Sequence, residues 1–401
     1  MSAQQHFNLY KTEVSSELNR ILDYWLRYTQ DDVNGGIIGR IDHENNIFPE
    51  APKGAVLHAR VLWAFSAAYN LNGNTDYLAM ASRTFDYLVS KFIDEQYGGV
   101  YWMVDHNGVP LDTKKQVYAT AFVIYAFSEY YKASTNERAK QEAIDLYKIL
   151  VEKSYDIEHT GYLEAFTRDW QSIDDLRLSA KDANEKKTMN THLHVLEAYG
   201  NLYRIWPDAG LKTQVQTLLN NFTDHFIDKQ TGHLSLFFDE GWNKSLNIIS
   251  YGHDIEASWL LLEAAEIIGD EELITVFKKL AIVMADATLE GLDNDHGLWY
   301  EYDADKHGLV KEKHWWVQAE AMVGFYNAWQ VSSDVKYAEL STQVWHFVKQ
   351  HILDIEKGEW VWGITADGKL MPGEDKVGIW KCPYHNSRAC IEIINRISQA
   401  V

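Results

Sequence analysis

The stretch Asp94-Glu95-Gln96-Tyr97-Gly98-Gly99-Val100 decides the fold, because five similar segments recur along the chain. In each of them, polar residues lead to a glycine that is followed within two positions by an apolar, aromatic or histidine residue. The marker glycines lie roughly 60 to 70 residues apart, which indicates a six-fold structural repeat. The six segments are residues 31–37, 94–100, 156–162, 228–233, 293–299 and 354–360, with Gly36, Gly99, Gly161, Gly232, Gly297 and Gly358 as their markers.

The sequence between two markers has room for two helices of about 18 residues each, and its apolar residues follow a helical period. Residues 75–92 and 137–152 have their apolar side chains on one face and predict surface helices. A second set is richer in alanine, leucine, valine and aromatic residues, which predicts helices buried on both sides. This set comprises residues 61–70, 120–131, 193–204, 257–268, 317–329 and 389–397.

Six inner and six outer helices predict an all-α (α/α)6 barrel, in which an inner ring packs around a central axis. An open solenoid would need polar capping repeats at its ends, and neither terminus looks like one. Glycine supplies the positive φ that tight reversals need, so we expect short β-hairpins gathered on one rim.

The composition predicts one large domain over residues 1–401, because the chain is 46% hydrophobic and has 6 prolines and no low-complexity linker. A net charge of -21 disfavours nucleic acid and anionic membranes as partners. Residues 1–10 lack a signal-peptide pattern, and no stretch approaches the roughly 18 apolar residues of a membrane span. We therefore expect a cytoplasmic protein, a monomer rather than an oligomer, in which Cys382 and Cys390 are reduced and structural.

Polar residues without an obvious structural role recur at the starts of the predicted inner helices. Asn190 and His194 are four residues apart, and so are Trp316 and Glu320, so each pair shares a helix face. A lone histidine on such a helix is usually a satisfied core residue, but histidines in several repeats indicate a common site. The clusters are His58 and Arg60; Tyr118; Asn190, His192 and His194; His253 and Glu256; Trp315, Trp316 and Glu320; and Trp380, His385 and Arg388.

These clusters carry a resemblance that covers essentially the whole chain, in the same order. They resemble the signatures of the cellobiose 2-epimerase family, within the N-acylglucosamine 2-epimerase superfamily. The matching motifs are Asn190-Thr-His-Leu-His194, Gly252-His-Asp-Ile-Glu256, Trp315-Trp-Val-Gln-Ala-Glu320 and Trp380-Lys-Cys-Pro-Tyr-His385-Asn-Ser-Arg388.

The resemblance implies an (α/α)6 barrel that interconverts glucose and mannose at the reducing end of β-1,4-linked disaccharides such as cellobiose and lactose. It implies that a small sugar is the partner. No Gly-x-Gly-x-x-Gly follows a predicted strand, and no Cys or Asp is grouped with the histidines, so we expect neither a cofactor nor a metal. In terms of the resemblance, His253 and His385 form the acid/base pair. The other residues that it places around the sugar are Arg60, Tyr118, Asn190, His194 and Glu256, with Trp316 and Trp380 as sugar platforms.

The chemistry of such a reaction calls for the same residue types. Epimerising C2 requires ring opening to the aldehyde, removal of the C2 proton, a cis-enediolate and return of a proton to the opposite face. Two groups that titrate near neutrality suit this task, which favours histidines such as His253 and His385. Arg60 and His194 are suited to stabilise negative charge on O1 and O2. We expect Glu256 to orient His253 and to favour its protonated form.

Several alternatives remain open at this stage. A glycoside hydrolase needs two carboxyl groups, for which Asp182, Glu256 and Glu320 are candidates, but a hydrolase does not explain the histidines. A sugar- or protein-binding toroid would not need the histidine pair, and a zinc enzyme would use three histidines. Within the superfamily, the rivals are a mannose 2-epimerase, an aldose-ketose isomerase and an N-acylglucosamine 2-epimerase. Loops 169–187 and 303–313 are expected to decide which sugar enters.

Overall fold

The structure, a computed structural model, describes residues 3–179 and 181–399. Helices alternate along the chain between an outer and an inner position, and successive inner helices contact one another around a ring. The outer helices are α1 (Ala3–Tyr28), α3 (Thr75–Lys91), α5 (Glu137–Lys153), α7 (Ala209–Asn221), α9 (Glu271–Thr288) and α11 (Val335–His351). The inner helices are α2 (Ala55–Asn72), α4 (Val117–Ser134), α6 (Met189–Ile205), α8 (Tyr251–Ile268), α10 (Trp315–Ser332) and α12 (Tyr384–Gln399).

The two helix classes follow from their sequences. Every side chain of α2 from Ala55 to Ala68 is buried, because most of this run is small or apolar and the polar His58 and Arg60 find partners inside the barrel. Helix α3 instead buries one stripe that includes Tyr77, Met80 and Thr84, and Asn74 caps its first turn by accepting from the Asp76 N–H. The predicted distinction between buried and surface helices is confirmed.

The barrel is closed, as predicted. The strand before each inner helix pairs with a strand that follows the turn of the next repeat, and the last pair joins β14 to β1. Helix α12 packs against both α1 and α2, so the sixth repeat contacts the first. The strands are β1 (Ile41–Asp42), β2 (Lys53–Gly54), β3 (Met103–Val104), β4 (Pro110–Asp112), β5 (Lys115–Gln116), β6 (Ala165–Phe166), β7 (Lys187–Thr188), β8 (Phe237–Phe238), β9 (Ile248–Ser250), β10 (Glu301–Asp303), β11 (Gly308–Val310), β12 (Glu312–His314), β13 (Gly363–Thr365) and β14 (Asp375–Val377).

Each repeated segment is a turn closed by a single β-bridge, such as the bridge between Ile93 and Val100. In the second repeat, Gly98 and Gly99 have φ of 71° and 73°, which an L side chain rarely adopts. The Asp94 carboxylate accepts from two backbone N–H groups of the turn and lies 2.8 Å from the buried Lys115 ammonium. Equivalent lysine pairs join Lys53 to Asp31, Lys187 to Asp156, Lys313 to Asp293 and Lys376 to Asp354.

The inner helices begin earlier than the apolar pattern predicted. Helix α2 begins at Ala55 rather than at residue 61, and α8 begins at Tyr251 rather than at residue 257. Polar residues such as His253 and Glu256 occupy the first two turns and interrupt the apolar pattern. The predicted site residues are therefore held by regular helical backbone rather than by loops.

Two further features of the chain can be compared with the sequence predictions. Cys382 and Cys390 are buried free thiols, in agreement with a reduced state. Among the helices in the described ranges, none combines the length and the apolar character that crossing a bilayer requires.

Candidate active site

The first turns of the inner helices surround a cavity of about 460 Å³ on the barrel axis. The second residues of four inner helices line it, and so do the sixth residues of three, because positions four apart share a helix face. Glu320, the remaining predicted site residue, is absent from the lining and lies behind it. The predicted residues in the lining are Arg60, Tyr118, Asn190, His194, His253, Glu256, Trp316, Trp380 and His385.

A buried cation below the cavity joins three inner helices to α12. The Arg388 guanidinium donates to Glu256 and to Glu320, each at 2.7 Å, and also donates to Glu197. Arg388 is 2% exposed, and the carboxylates around it raise the pKa of this already basic group even though burial opposes its charge. One guanidinium thus neutralises carboxylates from α6, α8 and α10.

His385 belongs to this network. Its Nδ1 lies 2.6 Å from Glu320 Oε1 and 3.9 Å from Glu256 Oε1. Burial lowers the pKa of His385 well below its ordinary value, and the nearby Arg60 and Arg388 lower it further. A neutral imidazole that donates from Nδ1 to Glu320 keeps its lone pair on Nε2, as a base requires.

His194 has a similar partner on its own helix. Its Nδ1 lies 2.9 Å from Glu197 Oε2, and Glu197 also accepts the hydroxyl proton of Tyr384. Burial raises the pKa of Glu197, but Arg388, His194 and Tyr384 outweigh it and bring the pKa to about 2. Burial is the main cause of a lowered pKa at His194, which Glu197 partly counteracts.

His253 lies in a different environment, and here one prediction is wrong. Glu256 does not orient His253, because its Oε1 accepts from Arg388 on the other side of the helix. The partner of His253 Nδ1 is the hydroxyl of Ser250, at 2.8 Å. Burial lowers the pKa of His253 to about 3, with a further contribution from His194, so the neutral rather than the protonated form is favoured.

Trp316 contacts both histidines of the predicted pair. Its ring centroid lies 4.8 Å from that of His253 and 5.6 Å from that of His385. Trp380 lies on another wall, with its ring 5.9 Å from Tyr118 and 5.8 Å from Trp102. Trp316 is therefore beside the candidate acid/base groups and not at the outer end of the cavity.

Arg60 is held by aromatic rings. Its guanidinium donates to the Tyr118 hydroxyl at 2.7 Å and lies 4.3 Å from the Phe122 ring centroid. The exposed fraction of Arg60 is 3%, and no carboxylate accepts from it in the described chain. A buried guanidinium without an anionic partner has charge available for a ligand.

Five polar atoms on the cavity-lining residues are buried and lack a hydrogen-bond partner. They are Arg60 Nε, Asn190 Oδ1, Glu256 Oε2, Trp315 Nε1 and Trp362 Nε1. Burying such groups without partners is costly, so their occurrence around one cavity favours a polar ligand. Burial and Glu320 raise the pKa of Glu256 to about 8, against the effect of Arg388.

Two of the histidines named from the sequence are structural. His58 Nε2 accepts the Ile37 N–H at 3.0 Å, and His192 Nε2 accepts the Tyr162 N–H at 2.9 Å. Both hold a turn against an inner helix and contact neither Arg388 nor His385. The separation of His192 from the pair Asn190 and His194 was predicted, whereas grouping His58 with Arg60 was wrong.

Sequence reasoning missed part of the site. Ser250 lies in a strand just before α8, and Glu197 lies one turn beyond His194, so spacing to a known site residue was the available signal. Glu164, with a pKa that burial raises to about 8, also lines the cavity and accepts from Thr188 and Thr191. Further aromatic and acidic residues belong to the lining: Tyr300, Glu301, His314, Trp362 and Glu374.

The two loops expected to select the sugar differ in their positions. Residues 176–179, 181–183 and 185 of loop 169–187 line the cavity, and residue 180 lies outside the described residues. Residues 303–313 instead form β11 and parts of β10 and β12. The neighbouring residues Glu301 and His314 line the cavity. Loop 303–313 therefore has no side chain in the cavity wall.

The geometry of the carboxylates and histidines disfavours the glycoside hydrolase and the zinc enzyme. Glu256 and Glu320 both accept from the same Arg388 nitrogen, so they do not flank a substrate bond as a hydrolase pair must. Within the described residues, one group could hold a metal, formed by Glu256, Glu320 and His385. Arg388 and the His385 ring already bind its carboxylates, and His194 and His253 do not belong to it.

Comparison with known proteins gives a consistent result. Residues 36–389 match the N-acylglucosamine 2-epimerase (GlcNAc 2-epimerase) family. The chain is 48% identical over 385 residues to a cellobiose 2-epimerase of Bacteroides fragilis, an alignment that covers 96% of this chain and 98% of that protein. The structure of cellobiose 2-epimerase from Bacillus thermoamylovorans B4167 matches with a TM-score of 0.92 at 40% identity, over 97% of this chain and 100% of that one. The enzyme from Spirochaeta thermophila DSM 6192 matches with a TM-score of 0.94 at 36% identity, over 100% and 99% of the two chains.

Proposed function

Because this chain belongs to the N-acylglucosamine 2-epimerase family, we propose that it inverts C2 of the reducing-end glucose in β-1,4-linked disaccharides. Cellobiose would become glucosylmannose, and lactose would become epilactose. As an epimerase the protein is an isomerase. The observation that carries the proposal is the placement of His253 and His385 against the same Trp316 ring at the closed end of one cavity.

The two histidines are suited to act on opposite faces of a planar intermediate. After ring opening, one neutral imidazole takes the C2 proton and becomes an imidazolium, which leaves the cis-enediolate. The other imidazole, which has taken a proton from solvent, then gives it to C2 from the opposite face, and exchange with solvent restores both rings. The lowered pKa values of His253 and His385 favour the neutral form that a base needs. Each such group contributes about 10²- to 10⁴-fold to the rate.

Charge stabilisation on the sugar oxygens is assigned to Arg60 and His194. Arg60 has a buried cation without a carboxylate partner, and Tyr118 fixes its orientation. Glu197 accepts from His194 Nδ1, so Nε2 of the neutral ring can take the proton of a sugar hydroxyl, and the imidazolium that results can stabilise the oxyanion. Asn190 Oδ1 and Glu256 Oε2, which lack partners, are suited to bind further hydroxyls.

The cavity favours a disaccharide over a single sugar ring. Its volume of about 460 Å³ lies within the range of small-molecule sites. Trp316 lies against both candidate acid/base histidines, so a second ring needs a platform elsewhere in the cavity. Trp362 and the stacked pair of Tyr300 and His314, 4.0 Å apart, are our candidates. Trp380, which lies on another wall of the cavity, stays a sugar platform in this proposal.

Incubation with cellobiose in D2O tests the reaction and its mechanism together. We expect a glucosylmannose product that carries deuterium at C2, because the new C–H bond is formed with an exchangeable proton. Release of free glucose would instead indicate a hydrolase, and an unlabelled epimer would exclude the enediolate. We propose that the reaction needs no metal or cofactor, so excess chelator should leave the rate unchanged.

A mannose 2-epimerase or an aldose-ketose isomerase of the same superfamily remains the second candidate, since both would use the same histidines. Turnover of cellobiose, lactose, mannose and N-acetylmannosamine, measured side by side, separates them. We expect the highest kcat/KM with the disaccharides. A preference for free mannose, or a ketose as the main product, would overturn the substrate assignment.

Location in the cytoplasm and a monomeric state are further proposals, which fractionation and light scattering would test.

A further inference from the structure

The repeats can be aligned on the residue that closes each turn by a β-bridge, and this alignment separates them into two classes. We call the residue directly before it the pre-bridge residue. In four repeats the pre-bridge residue is a glycine, followed by Ile37, Val100, Tyr162 or Leu298. In the fourth and sixth repeats it is His233 and Glu359, and the marker glycines Gly232 and Gly358 lie one position earlier.

Close packing explains the four glycines. A Cβ at Gly99 would lie 2.6 Å from Trp170, and one at Gly161 would lie 2.7 Å from His192 on α6. A Cβ at Gly36 or Gly297 would approach Tyr87 or Phe347 at 2.7 or 2.6 Å. A side chain is therefore excluded where the inner helix or a neighbouring ring fills the space, and the two exceptions need another explanation.

The two exceptions are the repeats that carry the candidate acid/base histidines. His233 Nδ1 lies 2.7 Å from Asp254 Oδ2, and Asp254 directly follows His253 on α8. Glu359 Oε1 accepts from the Asn386 side chain at 2.7 Å, and Asn386 directly follows His385 on α12. Glu359 also accepts from Lys381 at 3.0 Å. Each pre-bridge side chain thus binds the residue next to a candidate catalytic histidine.

The fourth repeat also lacks the permanent cation of the other five. Ile249, two residues before α8, occupies the position of Lys53, Lys115, Lys187 and Lys313 before their helices. Asp254 is fully buried and accepts from the Leu234 N–H at 2.8 Å, and the cation beside it is His233. The first turn of α8 is therefore held by a group that titrates, where other turns have a lysine.

We propose that His233 and Glu359 are positioning residues for the proton-transfer histidines, with His233 holding the first turn of α8 through Asp254 and Glu359 holding that of α12 through Asn386. The inference rests on the proposed roles of His253 and His385. Both residues act through a neighbour and do not touch the sugar.

The geometry around His233 indicates an imidazolium. Both ring nitrogens face carboxylate oxygens, with Nε2 3.3 Å from Glu290 Oε2. The ionisable groups that face the ring in the described chain are Asp254 and Tyr251 on α8 and Glu290 on the short 3-10 helix Leu289–Gly291. Burial opposes the charge, but Asp254 and Glu290 outweigh it and raise the pKa of His233 above its ordinary value.

The raised pKa of His233 determines how the stability of the protein depends on pH. The pKa of His233 is higher in the folded protein than in the unfolded chain. The contribution of its ion pairs to the stability of the folded state is therefore complete below the unfolded pKa of about 6.5, and it is lost as the pH rises through the folded pKa. The first turn of α8, with His253, should become less well held at alkaline pH.

Glu290→Gln tests the ion pair without disturbing the core, because the Glu290 side chain is 65% exposed. We expect the alkaline loss of thermal stability to begin about 0.2 to 0.7 pH unit lower than in the wild type, as for a half-exposed ion pair. Glu266→Gln, an exposed substitution at the far end of α8, is the matched control and should leave the profile unchanged. Identical pH profiles of thermal stability for all three proteins would mean that the ion pair between His233 and Glu290 does not stabilise the protein.

His233→Gln tests positioning, because glutamine can donate to Asp254 without the charge. We expect kcat for cellobiose to fall about tenfold near pH 6 with little change in KM. The ratio of wild-type to variant kcat should approach one at alkaline pH, where the wild-type His233 is as uncharged as the glutamine. Glu359→Gln should lower kcat similarly without this pH dependence. A kcat ratio for His233→Gln that is the same at every pH would assign His233 a structural role only.

Asp94→Asn is the control for general destabilisation, because it removes an equally buried turn charge from a repeat without a candidate acid/base histidine. It should lower Tm while kcat per folded molecule is unchanged, and an equal loss of kcat would overturn the proposal. Failure of the proposed function is distinguishable: it would appear as full activity of His253→Ala, whereas the Glu290→Gln unfolding profile does not depend on catalysis.

Discussion

The two candidate acid/base histidines occupy opposite kinds of environment. His385 donates to Glu320 and lies beside Arg388, within a fully buried network of charges. His253 has a serine hydroxyl as its partner and shares only the Trp316 ring with His385. A carboxylate fixes one tautomer, whereas a hydroxyl can donate or accept. The difference indicates that His385 keeps one orientation and tautomer, and that His253 can change its tautomer during the reaction.

The largest expected effect tests whether both histidines are needed at all. His253→Ala and His385→Ala should each lower kcat by at least about 10³-fold, because water cannot replace an acid or base at the same position. Circular dichroism and Tm should show a folded protein. Small and equal losses in both variants would assign the histidines to the structure rather than to the chemistry.

Removing the carboxylate partner of His385 should lower kcat more than removing the hydroxyl partner of His253. Glu320→Gln removes the carboxylate that fixes His385 and one of the anions of Arg388, and we expect kcat to fall about 10²-fold. Ser250→Ala removes a hydroxyl whose role water can take, and we expect a loss of about threefold to tenfold. Steady-state kinetics on cellobiose compares the two. Equal losses would mean that the two environments are equivalent for catalysis.

The aromatic contacts should separate the reacting ring from the second ring. Trp316→Ala should impair cellobiose and free mannose alike, because Trp316 lies against both histidines. Trp362→Ala should raise KM for cellobiose about 5- to 150-fold, the equivalent of a stacking loss of about 1 to 3 kcal/mol, and should leave mannose nearly unchanged. An equal effect of Trp362→Ala on both sugars would remove it as the platform of the second ring.

The smallest effect on activity is expected for the structural histidines. His192→Gln should change kcat by less than about threefold, because His192 holds the turn at Tyr162 and not a catalytic group. Burial lowers the pKa of His58 and His192 to about 3, below the unfolded value of about 6.5. The contribution of these two neutral histidines to the stability of the folded protein is therefore present above about pH 6.5 and is lost as the pH falls toward 3. Thermal unfolding between pH 7 and pH 4 should show this loss, and His192→Gln should reduce it.

Much of the site was predictable because helical spacing converts directly into shared faces. Second residues of four inner helices and sixth residues of three line the cavity, so Asn190 and His194 could be paired from their numbers alone. Glu320 shares a helix face with Trp316 but lies behind the lining. The pairing of His253 with Glu256 failed, since residues three apart on a helix can turn to different partners. Arg388, more than 130 positions away in the chain, attracts Glu256 more strongly than a neutral imidazole does.

Three properties of the chain stay predictions. The organisation as one domain over residues 1–401 follows from the composition and the repeat. The roles of the site residues rest on their geometry and on the resemblance. The absence of a cofactor rests on missing sequence motifs, and the chelator experiment addresses the metal part of it.

The sequence by itself determined the architecture, because a turn repeated six times and two helix classes are local patterns that each segment displays on its own. It also determined the residue types at the axis and, through them, the family. The tertiary structure decided which partners those residues take across the ring: Glu320 for His385, and Arg388 for Glu197 and Glu256. Hydrogen bonds and ion pairs depend on distances of a few ångströms between helices remote in the chain. These distances are fixed only when the ring of six repeats closes.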